Sequence, residues 1–267
     1  MSELKRHMGL FQLTMYGTGL ILGAGIYVLI GEAAGFAGDS VWIAFALGSV
    51  VALFAGFSYA ELSSIFPKAA AEYVFIKNAF KNNFFAFLIG WLTAVTSIIT
   101  AATVALGFGG YFAEFVNIPI IISAIGLLVI LSIVNFIGIR ESAWTNTIFT
   151  IIEASGLILI IIIGFTFANP EPVNYYESPS GFSGIVIAFV LIFFAFIGFE
   201  DMANIAEEVK KPKKTLPKAI ILSVVIAGIL YILVSLAVVR VVNWEELANS
   251  SAPIALVAEK GLGAEAH

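Results

Sequence analysis

The chain has 267 residues, of which 60% are hydrophobic and only 12% are charged, and its formal net charge is −5. Soluble globular domains have about a quarter of their residues charged, so this composition excludes an ordinary soluble domain. The chain has no cysteine, and His7 and His267 lie at its two ends, which excludes disulfides and thiolate metal sites. We therefore expect no cofactor, no metal and no nucleic-acid partner.

Long apolar stretches dominate the sequence. A helix that crosses a bilayer needs about 20 apolar residues, and seven stretches meet this requirement. We number them as spans one to seven, at about Leu10–Phe36, Val41–Phe66, Phe84–Val116, Ile118–Ile139, Trp144–Ala168, Gly181–Ala206 and Leu216–Val242. Short alternating segments typical of membrane barrels are absent. The sequence predicts an all-α, polytopic helical membrane protein with the lipid bilayer as its surroundings.

The basic residues predict the orientation of these spans. Eleven of the thirteen lysines and arginines lie before span one or in the loops after spans two, four and six. The exceptions are Arg240 and Lys260. Because basic loops stay in the cytoplasm, we expect a multi-pass protein of the cell membrane with a cytoplasmic N-terminus. Residues 68–81, in the first of these loops, read as a short amphipathic helix.

Two of the spans are interrupted near their middle. Span one contains Gly23-Ala24-Gly25, and span six contains Ile197-Gly198-Phe199 followed by Glu200 and Asp201. A break at membrane depth frees N–H and C=O groups that lipid cannot satisfy, so water, an ion or a ligand must satisfy them. Broken spans at matching places are the best sequence indication of an inverted-repeat secondary transporter.

This pattern divides the membrane domain of residues 1–267 into two parts. Residues 10–168 form the predicted first five-helix repeat, and residues 181–267 begin its inverted partner. Only two spans of the second repeat are present, so we interpret the chain as truncated in that repeat, unless the architecture is a different one. We expect that these 267 residues alone do not transport.

The first break suits the two ends of an amino acid. A helix that begins near Gly25 presents free N–H groups to a carboxylate, and one that ends near Leu22 presents free carbonyls to an ammonium group. Glycine matters here because a side chain would block close approach, although packing between helices is the alternative explanation. The candidate substrate-binding residues at this break are Ile21, Gly23, Ala24, Gly25 and Ile26.

The second break adds carbonyls, an aromatic wall and acids. Its candidate substrate-binding residues are Phe194, Ala195, Phe196 and Gly198. Glu200 and Asp201 are candidates for coupling or gating if they lie at depth, and structural residues if they lie in the wet cytoplasmic half. Glu153 in span five is isolated among apolar residues, so we interpret it as a protonation site, a substrate-ammonium site or a neutral acid bonded to a neighbouring helix. Glu61, at the cytoplasmic end of span two, is a candidate gate residue.

The motifs around the breaks also resemble a known family. Residues 17–27, with the sequence GTGLILGAGIY, resemble the first helix of permeases of the amino acid–polyamine–organocation (APC) superfamily. Four further segments are similar to that family in the same order along the chain, namely residues 59–73, 193–208, 211–220 and 251–256. The sequence departs from the family at Ala69-Ala70-Ala71, where two glycines are usual, and at Glu153, near the place of a lysine in some proton-coupled members.

The resemblance implies a transporter rather than an enzyme. It implies secondary active transport of amino acids by alternating access, with a proton, sodium or exchange as the driving reaction, and with Phe196 as a gate or pocket wall. The alternatives are an amino-acid sensor and an organic cation or polyamine carrier on the same fold. Family members have twelve or more spans, so the chain resembles their N-terminal part.

Overall fold

The computed structural model describes residue 6 and residues 8–68, 71–137, 143–166 and 172–263. In these ranges the chain forms twelve α-helices. They are α1 (Leu10–Leu22), α2 (Ala24–Ala37), α3 (Val41–Ile65), α4 (Ala71–Phe80), α5 (Asn83–Phe115), α6 (Ile120–Ile137), α7 (Ala143–Thr166), α8 (Gly181–Phe193), α9 (Asp201–Asn204), α10 (Pro212–Val241), α11 (Trp244–Asn249) and α12 (Pro253–Leu262). Short 3₁₀ turns occur at Gly38–Ser40, Phe194–Phe196 and Ala206–Glu208.

The prediction of an all-α polytopic membrane protein is confirmed. Five segments of the described chain are long and apolar enough to cross a membrane, namely Gly25–Ile65, Asn83–Ala113, Thr147–Thr166, Gly181–Asn204 and Pro212–Val241. The first of them contains both α2 and α3, which are joined by the turn at Gly38–Ser40. Helix α1 is apolar but too short to cross a membrane alone. It is short because the break in span one ends it at Leu22.

Span seven begins earlier than the sequence predicted. Helix α10 starts at Pro212 rather than at Leu216, so Lys213, Lys214 and Lys218 lie in its first turns and not in a loop. Proline favours the first turn of a helix, because its missing N–H would have no partner there. The apolar residues mark the part of the helix that lies in the bilayer, whereas the helix itself begins earlier, among polar residues.

The predicted amphipathic helix between spans two and three is confirmed as α4. Its Phe75 is buried, and Ala71 N–H donates to the Asn204 Oδ1 atom at 2.9 Å. Tyr59 of α3 donates its hydroxyl to the Glu72 carboxylate at 3.2 Å. These two bonds attach α4 to span two and to the short helix α9 of span six.

One helix organises the described core. Helix α10 packs against α3 on one side and against α1 and α7 on the others, and Leu216, Val224, Tyr231 and Val238 are fully buried. In contrast, α5 and α6 expose most of their apolar side chains. This distribution places spans one, two, six and seven together around both helix breaks.

Glycines allow the closest contacts between these helices. A Cβ atom at Gly184 of α8 would lie 2.1 Å from the Phe36 carbonyl oxygen, whereas a Cβ at Gly126 of α6 would meet nothing within 4 Å. Small residues at such crossings let two backbones approach. The contact between α2 and α8 therefore depends on glycine at position 184.

We predict that Gly184→Ala lowers the stability of the protein by about 1–3 kcal/mol, because the added methyl forces α8 away from α2. Gly126→Ala is the control, and it should be neutral or stabilising by up to about 1 kcal/mol, since alanine favours a helix. Thermal unfolding in detergent measures both variants. Equal shifts of the two midpoints would contradict the packing described here.

Candidate functional site

The first helix break lies at one residue. Helix α1 ends at Leu22 and helix α2 begins at Ala24, with Gly23 between them at φ −26° and ψ −165°. Ile21, Leu22 and Ile26 around it are buried. In an unbroken helix the Ile21 carbonyl would accept from the N–H of Gly25. The break predicted in span one is therefore present. It leaves backbone N–H and C=O groups in the core without their helical hydrogen-bond partners.

The second break is longer. Helix α8 ends at Phe193, a 3₁₀ turn follows, Ile197 is extended and Gly198 has φ +125°, before α9 begins at Asp201. A φ in this range strongly favours glycine. The polypeptide thus leaves the helical path for several residues in the middle of span six, as the sequence predicted.

The two breaks lie against each other through reciprocal glycine contacts. A Cβ at Gly25 would lie 2.7 Å from the Ala195 Cα atom, and a Cβ at Gly198 would lie 2.6 Å from the Leu20 carbonyl oxygen. Each break thus places a glycine on the backbone of the other. By contrast, a Cβ at Gly23 would meet only the Leu20 carbonyl oxygen, at 3.8 Å. There is therefore room for an added side-chain atom at Gly23, whereas there is none at Gly25 or Gly198.

One side chain contacts both breaks. Tyr231 of α10 is fully buried, and its hydroxyl lies 2.5 Å from the Ile21 carbonyl oxygen and 3.1 Å from the Ala195 carbonyl oxygen. Phe196 and Phe45 hold the ring edge-to-face, with centroids 5.1 and 5.7 Å from that of Tyr231. The hydroxyl is therefore fixed where the two freed carbonyls meet.

The acids after the second break have different surroundings. The Glu200 carboxylate accepts the N–H of Gly198 at 2.8 Å, so it caps a backbone group that the break has freed. Asp201 is exposed and accepts from the Asn204 side-chain amide at 3.4 Å. The position of Glu200 is therefore tied to the geometry of the break, whereas Asp201 lies at its outer surface.

Glu153 lines a cavity next to the first break. The cavity has a volume of about 550 Å³ and lies between α2, α5, α6, α7 and α12. Among the described residues that line it, Glu153 alone has a carboxyl group. The Tyr27 hydroxyl donates to the Glu153 backbone carbonyl at 3.2 Å, and Tyr27 lies four residues after Gly23, or about 6 Å along the helix. The structure therefore brings Glu153 close to the break.

Comparison with known proteins agrees with this geometry. Residues 8–264 match the family model described as amino acid permease. The chain belongs to this family. It is 33% identical to the branched-chain amino acid permease BcaP of Bacillus subtilis, over 96% of the chain and 59% of that protein. It is 32% identical to cationic amino acid transporter 4 of Mus musculus, over 94% of the chain and 43% of that protein.

A third relative has a different stated substrate. The chain is 31% identical to the methylthioribose transporter of Bacillus subtilis, over 92% of the chain and 57% of that protein. The chain spans about half the length of the curated relatives that it matches. The family match and the long apolar helices make this chain part of a multi-pass membrane protein, and the names of the family and of these relatives are those of permeases and transporters, which are not enzymes.

The remaining candidate residues of the chain have different surroundings. Phe196 is fully buried, and a Cβ at Gly48 would lie 3.0 Å from its ring. Phe194 is half-buried next to it. Glu61 is exposed near the end of α3, where Ser64 donates its hydroxyl to the Glu61 backbone carbonyl at 2.7 Å. In this structure Phe196 packs at the crossing, and Glu61 lies away from it.

Sequence reasoning missed Tyr231. A tyrosine between Leu230 and Ile232, in the middle of an apolar span, gives a usable signal, because a buried hydroxyl usually has a partner. Its partners were not predictable, since they are backbone atoms more than thirty residues away. The links of α4 through Tyr59, Glu72 and Asn204 were missed as well, because they join different helices whose relative positions the sequence pattern does not give.

We predict that Gly25→Ala destabilises the protein by about 1–3 kcal/mol, because a methyl there overlaps the Ala195 backbone. Gly23→Ala should have a clearly smaller effect, since its nearest neighbour is 3.8 Å away. Unfolding midpoints of both variants in lipid nanodiscs test this difference. A larger loss for Gly23→Ala would contradict the crossing of the two breaks.

Proposed function

We propose that the chain is part of a secondary active carrier that moves amino acids across the cell membrane by alternating access. The observation that carries the proposal is the crossing of two helix breaks, where Gly25 lies on Ala195 and Gly198 lies on Leu20. A carrier needs a site that both sides of the membrane reach in turn, and broken helices near the midplane provide one.

The broken ends suit a zwitterion. Helix α2 starts at Ala24, so the N–H groups of Ala24, Gly25 and Ile26 have no carbonyl one turn earlier in the same helix, whereas that of Tyr27 faces the carbonyl of the N-cap residue Gly23. They give the end of the helix a partial positive charge, which favours a carboxylate. The carbonyls of Ile21 and Ala195 lie on the other side of the break and suit an ammonium group. Gly23 leaves the space through which a ligand approaches.

The candidate residues therefore take distinct roles in the proposed carrier. Backbone atoms of Ile21, Gly23, Ala24, Gly25 and Ile26 form the first half of the substrate site, and those of Phe194, Ala195, Phe196 and Gly198 form the second half. The Phe196 ring is buried at the crossing, so it acts as a gate only if span six moves. Glu200 fixes the second break by its bond to Gly198 N–H.

The larger architecture and the orientation belong to the same proposal. Residues 10–168 and residues from 181 onward form two repeats of inverted topology, and the N-terminus is cytoplasmic. The distribution of lysine and arginine supports the orientation. The contact of the broken spans with each other supports the repeats, since this class of carrier places its site where they meet.

The substrate class rests on the relatives and on the breaks. The names of two relatives refer to branched-chain and cationic amino acids. The second candidate function is carriage of a solute that is not an amino acid, and it is favoured by the likeness to a methylthioribose transporter. An amino-acid sensor on the same fold would bind without flux.

A transport assay separates these functions. The protein, expressed from its complete reading frame, is reconstituted in liposomes, and counterflow of radiolabelled leucine and arginine is measured. We expect flux of at least one of them, inhibition by unlabelled amino acids, and at least about tenfold weaker inhibition by analogues without the amino or carboxylate group, because each end loses its backbone partners. Flux of methylthioribose alone favours the second candidate, and binding without flux favours a sensor.

Coupling to protons is proposed for Glu153. A carboxylate in an apolar cavity is costly unless it takes a proton or a cation. We expect Glu153→Gln to lower uptake driven by a pH gradient by about tenfold or more, while exchange at equal pH changes little, since glutamine keeps the size but does not titrate. Glu207→Gln, at an exposed position, is the control. Gradient-driven uptake that is unchanged in Glu153→Gln would remove this role and leave sodium or exchange as the driving reaction.

A further inference from the structure

The Tyr231 hydroxyl occupies a position that suits a ligand's ammonium group. It lies 2.5 Å from the Ile21 carbonyl oxygen and 3.1 Å from the Ala195 carbonyl oxygen. One carbonyl comes from each broken helix, and Tyr231 itself belongs to a third helix, α10. An intact helix would not leave these carbonyls free, so the hydrogen bonds of Tyr231 to them exist because both breaks exist.

A hydroxyl and an ammonium group differ in what they can donate. A tyrosine hydroxyl has one hydrogen and two acceptor lone pairs, whereas an ammonium group has three hydrogens. Tyr231 therefore satisfies one of the two carbonyls fully, or shares one hydrogen between them. An ammonium group would donate to both carbonyls at once and still have one hydrogen left, which the phenolic oxygen can accept.

The surroundings keep this hydroxyl in place. Tyr231 has no exposed surface, and the rings of Phe45 and Phe196 pack on its two sides. Rotation about the C–O bond is enough to change the hydroxyl from donor to acceptor.

We propose that Tyr231 is an internal substitute for the substrate ammonium group, which allows the empty carrier to close around its two breaks and return across the membrane. The inference rests on the proposed function, because it assumes that the breaks bind an amino group and that the carrier alternates. A buried carbonyl without a partner is unfavourable, so closing an empty site needs a donor. The bound substrate supplies that donor in the loaded carrier, and Tyr231 supplies it in the empty one.

Net uptake and exchange depend on this hydroxyl to different extents. Exchange uses the loaded carrier in both directions, whereas net uptake into liposomes that contain no amino acid needs the empty carrier to return. Tyr231→Phe removes only the hydroxyl. In the empty carrier, the carbonyls of Ile21 and Ala195 then lose their hydrogen-bond donor. Net uptake should therefore become much slower, whereas the maximal rate of exchange should fall less, because the loaded carrier loses only the phenolic oxygen that accepts one hydrogen of the ammonium group.

The experiment measures both rates in liposomes with the protein expressed from its complete reading frame. For Tyr231→Phe we expect the ratio of net uptake to exchange to fall about tenfold relative to the wild type. Tyr176→Phe, in the exposed loop before α8, is the matched control, and its ratio should equal that of the wild type. Equal losses of net uptake and exchange in Tyr231→Phe, or an unchanged ratio, would overturn the proposal while leaving transport of amino acids established.

A second variant covers the case in which Tyr231→Phe does not fold. Replacing Tyr231 with 3-fluorotyrosine preserves the hydroxyl, makes it a stronger donor and makes its oxygen a weaker acceptor. The empty state is then favoured over the loaded one, so the KM of exchange should rise about two- to fivefold. A KM that stays constant or falls would overturn the proposal. Absence of amino acid flux in the wild type would instead refute the proposed function itself.

Discussion

Backbone polar groups that have lost their helical partners inside an apolar bundle are the constraint on which this structure depends. Lipid cannot satisfy them, so the chain must bring other partners to the same place. It does so by crossing the two breaks, with Gly25 on Ala195 and Gly198 on Leu20, and by placing the Tyr231 hydroxyl between two freed carbonyls. The Glu200 carboxylate satisfies a further group, the N–H of Gly198.

The same constraint connects the ends of the broken spans. Met8, just before α1, and Val209, after span six, form a parallel bridge in which Met8 N–H donates to the Glu208 carbonyl and Lys210 N–H donates to the Met8 carbonyl. Asn204 then attaches α4 to the same region through Ala71 N–H. The segments on this side of the two breaks are thus held together by backbone hydrogen bonds. Any movement of one half-helix has to involve the others.

The proposed site uses the backbone for recognition and side chains for position. In this proposal, backbone N–H and C=O groups recognise the charged ends that all α-amino acids share, and the relatives of the chain differ in their stated substrates. The Glu153 cavity, about one turn from Gly23, adds a charged side chain to an otherwise apolar wall. Proton coupling and the response to an empty site are then assigned to different residues, Glu153 and Tyr231.

Much of the fold was predictable because bilayer thickness sets the length of each apolar segment. The two breaks were predictable as well, since Gly23-Ala24-Gly25 interrupts the first apolar run, and Gly198, followed within three residues by two acids, interrupts the sixth. The start of α10 at Pro212 was missed, because the helix extends past the apolar run that marks the span. Hydropathy indicates whether residues lie in apolar or polar surroundings, and it does not indicate where the hydrogen bonds of a helix begin.

The sequence by itself determined that the chain is helical, that it lies in a membrane, and that spans one and six are broken at Gly23 and near Gly198. Only the tertiary structure decided that Gly25 and not Gly23 carries the close contact, that Phe196 is buried, and that Tyr231 joins both breaks. The physical reason is distance along the chain. A break depends on neighbouring residues, whereas its partners come from helices whose relative positions no local pattern encodes.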